Sequence, residues 1–319
     1  MLLKKLQKGD TIGIINPASS NYGELKTKEE VKEKYQYMFD YFEKEGYKIK
    51  LGKTFYSKWG YLGGTDEERA QDINDMFRDD KVKMILCMRG GYGLSRIVDK
   101  LDYEMIKKHP KIVCGYSDIT VLLNNVYKFC GFPTIHGLIA AYFGKDPLMS
   151  DELSYNDFFN ATAQPQLNRV LSPLPNEKKQ CETLIDGIAE GVLVGGNLSL
   201  LATLCGTKYE VDFTDKVVLI EDVGEAPYAI DRYLSSLRLR GMLEKAKGFV
   251  FGYFTDCNPQ KDGVTCMDVV RDYIMPLNKP TIVNFTTGHE FPFVNMPIGA
   301  KVKLDSVKKE ITIMEEIYE

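Results

Sequence analysis

Short apolar runs alternate with helical patterns through the first half of the chain. Thr11–Asn16 (TIGIIN) reads as a buried strand, a brief apolar run bounded by turn signals. Val31, Tyr35, Met38, Phe39 and Phe42 recur at helical spacing and predict one helix, ended by Gly46. Thr65 followed by Glu68 is a capping-box signature for a helix through about Phe77. Val82–Met88 predicts the next strand, and Arg89-Gly90-Gly91-Tyr92-Gly93 follows it. Lys111–Tyr116 predicts another strand that runs into a helix carrying Ile119, Leu122, Leu123 and Val126, closed by Gly131. Strands alternating with helices imply a mostly parallel sheet covered on both faces.

Residues 145–180 break this rhythm. Pro147, Pro165, Pro173 and Pro175 fall there among polar residues, which suggests an inter-domain connection with some local structure. Beyond it the alternation resumes. Gly191–Gly196 leads into a helix over about Leu198–Leu204, and Lys216–Ile220 (KVVLI) is a buried strand. Ile230, Leu234 and Leu237 mark a helix ending near Gly241, and Gly248–Phe254 and Pro280–Phe285 look like strands. Val302–Leu304 and Ile311–Ile313 alternate as β-strands do. The expected fold is α/β in two domains. The first, 1–165, is a mostly parallel sheet flanked by helices; the second, 180–319, is α/β with additional strands.

Composition narrows the function classes. A length of 319 residues with 44% hydrophobic content supports two real cores. No run approaches the length of a membrane span, and Met1–Asp10 lacks the apolar stretch of a signal peptide. A net charge of −4 gives no electrostatic reason to expect nucleic acid or an anionic membrane as partner. The seven cysteines are widely spaced with no CxxC pair, which argues against zinc and dithiol chemistry and for a reducing compartment. No metal and no cofactor is expected, and the cytoplasm is the expected location.

The most informative local feature is Cys114-Gly115-Tyr116-Ser117-Asp118. A strand ends and a helix begins with almost no loop, so Ser117 sits on a sharp turn near free backbone N–H groups that favour a developing oxyanion. The competing reading is that Ser117 only caps the helix, and Ile119 stands where a GxSxG pattern needs its second glycine. A serine nucleophile needs a base, and only His109, His136 and His289 exist. His109 lies in a Lys-rich turn and reads as solvent-exposed. His136 follows a short apolar run. His289 lies in a Gly-containing loop just after a strand, where open α/β sheets bind ligands. Each of the three can equally be structural. Glu221 and Asp222 close the strand Lys216–Ile220, where a carboxylate is either a site residue or a turn cap. Strand alternation assigns Glu221 and not Asp222 to the histidine side. The glycines of Arg89–Gly93 let backbone approach a ligand; a phosphate loop is the weaker alternative, since neither GxGxxG nor a P-loop Lys is present.

Taken in order, GDTIGIINPAS, RGGYG, PKIVCGYSDIT, His136-Gly137, GGNLSLL, VVLIEDVGE and NFTTGHE resemble the LD-carboxypeptidase family of serine peptidases. The resemblance implies a Ser117–Glu221–His289 triad split between two domains, with Gly91 and Asp118 as backbone donors to the oxyanion. It also implies a muropeptide substrate with an L-to-D peptide bond, cleaved to release terminal D-Ala during cell-wall recycling. A homodimer is expected. Arg89 and Arg232 are candidates for recognising the substrate's carboxylate. A second branch resembles microcin C immunity peptidases, which cleave acyl-aminoacyl nucleotides; RGGYG favours the cell-wall branch. A non-catalytic small-molecule binding protein is the alternative from another class, and it has no reason to bring the three triad residues together.

Overall fold

The computed structural model describes residues 1–144, 151–257 and 263–319. Pro147, read above as part of an inter-domain connection, lies outside the described residues. Five strands come first: β1 (Thr11–Ile15), β2 (Lys48–Leu51), β3 (Val82–Cys87), β4 (Ile112–Gly115) and β5 (Thr134–His136). They pair in parallel in the order β2-β1-β3-β4-β5. The buried Ile, Val and Leu side chains of β1, β3, β4 and β5 suit a sheet covered on both faces, while the edge strand β2 is only partly buried. The helices between them are α1 (Lys28–Lys34), α2 (Gln36–Lys44), α3 (Asp66–Arg78), α4 (Tyr103–Lys108) and α5 (Thr120–Cys130). The helix start expected at Thr65 is there: its side chain accepts from Glu68 N, and the Glu68 carboxylate accepts from Thr65 N.

One helix expected before Gly46 is two. The chain bends at Tyr35 (φ −110°, ψ 13°), between α1 and α2. The bend lets Val31, Met38 and Phe42 all point into the core, which spacing alone had credited to one straight helix. The stretch expected to connect domains contains a twelve-residue helix, α6 (Glu152–Ala163), capped by the Asp151 side chain.

The remaining strands are β6 (Val170–Leu171), β7 (Glu182–Ile185), β8 (Ile188–Asn197), β9 (Lys216–Val223), β10 (Gly248–Thr255), β11 (Thr281–Val283), β12 (Met296–Ile298), β13 (Lys301–Asp305) and β14 (Glu310–Ile313). A second sheet runs β6-β14-β13-β8-β9-β10-β11-β7. Its centre, β8 to β11, is parallel, and the outer strands are antiparallel. The helices α7 (Leu198–Thr203), α8 (Pro227–Leu239) and α9 (Cys266–Ile274) pack on it. One strand crosses the sequence division: β12 pairs antiparallel with β5 and forms the edge of the first sheet. Pro297, which lacks an N–H, is tolerated at such an edge.

Candidate active site

The C-terminal ends of β4 and β9 carry the candidate residues Ser117 and Glu221. Tyr116 ends the extended run after β4 (φ −152°), and Ser117 then turns to φ 65°. A non-glycine residue in the left-handed region is strained, by about 1–3 kcal/mol, and such residues cluster at functional sites. Ser117 opens a short 3-10 turn, Ser117–Ile119, that leads directly into α5. Its side chain does not cap the helix, and among the described residues its hydroxyl has no hydrogen-bond partner.

The glycine loop after β3 lies against this serine. A Cβ at Gly90 would stand 2.8 Å from Ser117 Cβ and 3.0 Å from its Oγ, so only glycine allows the approach. Gly91 has φ 115°, and a Cβ there would run into Ser19. The loop is held from several sides. Tyr92 N donates to Ser19 Oγ (3.1 Å), and Leu94 N donates to Asp118 Oδ2 (2.9 Å). Arg69, fully buried, donates to the carbonyls of Pro17 (2.7 Å) and Gly93 (2.9 Å) and pairs with Asp66. Burial pushes the Asp118 carboxyl up to about 6, against the opposing pull of the Leu94 and Gly93 N–H groups and Arg69. Asp118 therefore ties the glycine loop to the serine turn through its side chain, while its backbone follows Ser117.

His289 lies between β11 and β12, and its Nδ1 is 2.7 Å from Glu221 Oε2. A carboxylate only accepts, so Nδ1–H donates and Nε2 is left without a proton in the neutral ring. Glu221 is fully buried near the end of β9. Gly288 (φ 116°) makes the contact possible: a Cβ there would lie 3.0 Å from Glu221 Oε2. Burial opposes the imidazolium, yet the Glu221 charge and hydrogen bond, with Asp222 beyond, hold His289 above its ordinary value. Asp222 points the other way. It accepts from Asn197 Nδ2 (2.8 Å) and Ser199 N (3.0 Å), and burial with the Glu221 charge pushes it up to about 7.

The serine turn and the histidine meet through Tyr116. Its ring packs edge-on against His289, with centroids 4.7 Å apart, and its hydroxyl lies 2.5 Å from that of Tyr142. Among the described residues no hydrogen bond links Ser117 to His289; such contacts are often long without substrate and tighten when it binds. The two halves are also joined behind the site. Asn124 on α5 exchanges two hydrogen bonds with Gly195, each 2.9 Å, and Asn197 N donates to Thr120 Oγ1 (3.0 Å). Asn197 and Glu221 are register partners on β8 and β9. The helix that follows the serine is thus bolted to the strand beside the glutamate.

Of the other expected residues, His136 is fully buried and stacks on Phe293, with centroids 5.7 Å apart, and burial lowers it to about 4. His109 is partly exposed and lies 3.4 Å from Asp80. Arg89 donates to Ser20 O (3.0 Å) and lines a cleft of about 460 Å³ with Ser19, Ser20, Gly23, Lys58, Gly60 and Tyr61. Arg232 is exposed on α8 over the Tyr228 ring, and among the described residues it makes no ion pair. Sequence reasoning passed over Tyr116, Ser19, Arg69 and Asn124. Asn124 offered a signal, a polar residue on the buried face of an apolar helix. Among the described residues no helix is long and apolar enough to cross a membrane.

Two family models match the chain: the LD-carboxypeptidase N-terminal domain over residues 12–137 and the LD-carboxypeptidase C-terminal domain over residues 190–304. A probable murein peptide carboxypeptidase of Bacillus subtilis is 38% identical, over 99% of this chain and 95% of its own length. The microcin C7 self-immunity protein of Escherichia coli is 27% identical over 99% and 96%. A solved structure of the microcin C7 self-immunity protein in complex with aspartyl sulfamoyl adenosine superposes with a TM-score of 0.89 at 25% identity, covering all of both chains.

Proposed function

The chain belongs to the LD-carboxypeptidase family, and from that premise we propose that Ser117, His289 and Glu221 are its catalytic triad. It is a serine-type carboxypeptidase, a hydrolase. The observation that carries the triad is the buried 2.7 Å His289–Glu221 pair, packed against the tyrosine that precedes a serine in the left-handed region.

In the proposed reaction Ser117 Oγ attacks the scissile carbonyl while His289 Nε2 takes its proton. Glu221 holds the ring's tautomer and stabilises the imidazolium. The N–H groups of Gly91 and Asp118 receive the oxyanion, and one such donor is typically worth about 2.7–4 kcal/mol. His289 then protonates the leaving amine, and water, activated by the same ring, hydrolyses the acyl-enzyme.

The substrate we propose is a muropeptide tetrapeptide stem, cleaved at an L-to-D bond to release D-Ala for cell-wall recycling. The murein peptide carboxypeptidase relative and the RGGYG loop support this. The structural likeness to the self-immunity protein bound to aspartyl sulfamoyl adenosine favours a second reading, cleavage of an acyl-aminoacyl nucleotide. Incubating the protein with each substrate and reading products by mass spectrometry separates them. D-Ala release from the tetrapeptide supports the first reading, and cleavage of the nucleotide alone overturns it. We also propose a cytoplasmic homodimer without a nucleic-acid partner. Seven free thiols fit a reducing compartment, the negative net charge fits the absence of a nucleic-acid partner, and the dimer rests on the family resemblance.

A further inference from the structure

The cleft beside the glycine loop is positively charged. Of its lining residues, Lys58 and Arg89 are cationic and none is acidic. Among the described residues Lys58 Nζ donates to the Gly23 carbonyl (3.3 Å) and lies 5.7 Å over the Tyr22 ring. Arg89 spends Nη1 on Ser20 O. Among the described residues neither side chain makes an ion pair. Two unpaired cations on one concave wall concentrate positive potential where an anion can enter.

The cleft adjoins the reaction centre across the glycine loop. Ser19, on its wall, accepts from Tyr92 N, and its own N–H points to Gly90 O (3.4 Å). Gly90 in turn lies against Ser117. An anion held in the cleft is therefore separated from the attacked carbonyl by little more than the glycine loop. In a substrate cleaved one residue from its end, the terminal carboxylate lies a few bonds beyond the scissile amide.

We propose that Lys58 and Arg89 form the subsite for the substrate's free C-terminal carboxylate, and so restrict the enzyme to removing a terminal residue. This rests on the carboxypeptidase reading above and deepens it. Arg89 offers a planar fork, fixed at one end by Ser20 O, and Lys58 a mobile point charge. Arg232 lies over the Tyr228 ring and does not line this cleft.

The test uses the full chain and two tetrapeptides that differ only in a C-terminal carboxylate or carboxamide. Wild-type enzyme is expected to prefer the acid. Lys58→Met keeps the length of an exposed side chain and removes its charge. It should raise KM for the acid by about 10- to 100-fold with kcat little changed, as the loss of a charge-assisted contact does. The amide should be unaffected, and Lys58→Arg should restore the preference. Binding of both peptides to Ser117→Ala, read by calorimetry, reports the subsite without turnover. If wild type and the Ser117→Ala protein treat acid and amide alike, the subsite is wrong. It is equally wrong if Lys58→Met keeps the wild-type preference. If neither tetrapeptide is cleaved by wild type, the carboxypeptidase substrate itself fails, and the binding arm still judges the subsite.

Discussion

Replacing Glu221 with glutamine tests the electrostatic core of the site with almost no change of shape. In the proposed mechanism the imidazolium formed during acylation faces a carboxylate that is fully buried and 2.7 Å away. Charges roughly 4 Å apart attract by about 4 kcal/mol at an effective dielectric near 20. At about 1.4 kcal/mol per decade, losing that attraction costs about a thousandfold in rate. The neutral amide can also turn its NH₂ toward His289 and favour the wrong tautomer, which adds to the loss. The pH profile gives a second readout. His289 must be neutral to act as base, and its value in the fold lies above the ordinary one of about 6.5. The acid limb of kcat/KM is therefore expected above 6.5 in wild type and at lower pH in Glu221→Gln, where burial alone remains. The stability linkage has the same origin. Protonated His289 stabilises the fold below about 6.5, and that contribution is lost as pH rises through the raised value. In the variant it is absent at all pH. Stopped assays of D-Ala release from pH 5 to 9 (about that span), with thermal melts in parallel, provide the measurements. An acid limb that stays in place and a rate within a few-fold of wild type would refute the pairing as the source of catalysis.

Ser117→Ala is expected to abolish D-Ala release while circular dichroism remains native, since the hydroxyl caps nothing. Ser117→Gly should be equally inactive yet melt a few degrees higher, because glycine adopts φ 65° without strain, worth about 1 kcal/mol; a lower melting temperature would show that the turn is not strained. Gly90→Ala should cut kcat by about a hundredfold or more, because its Cβ displaces Ser117 from 2.8 Å away; unchanged kcat would mean that the loop and the serine do not work together. Asp118→Asn should remove a loss of wild-type stability that begins above the unfolded carboxyl value and grows as pH rises through about 6, where the buried carboxyl ionises; parallel stability curves from pH 4 to 8 for the two proteins (about that range) would contradict this.

What the sequence disclosed was local. Apolar period and caps located β1, β3, β4, β9 and the start of α3, because each rests on residues near one another in the chain. The turn at Ser117 was legible for the same reason, and the alternation along β9 told Glu221 from Asp222. Pairings between distant segments were not. Met296–Ile298 is three residues with a central proline, and only β5 on the facing sheet makes it a strand. The bend at Tyr35 was hidden because apolar spacing is nearly the same on one helix or two. The cationic cleft was hidden because Lys58 and Arg89 belong to different loops, brought together by the fold around β1 and β3.

The edge strand β12 has a consequence for the histidine. The segment that carries His289 leaves the second sheet at β11 and enters the first at β12, so it is anchored in both. It behaves as a buckle across two straps, and neither sheet can shift without pulling on it. A gene cut between the two family segments would leave one fragment with β5 unpaired along its outer side and the other with a dangling β12. Such halves should recover activity only when mixed, and only by threading that strand back into its neighbour's sheet.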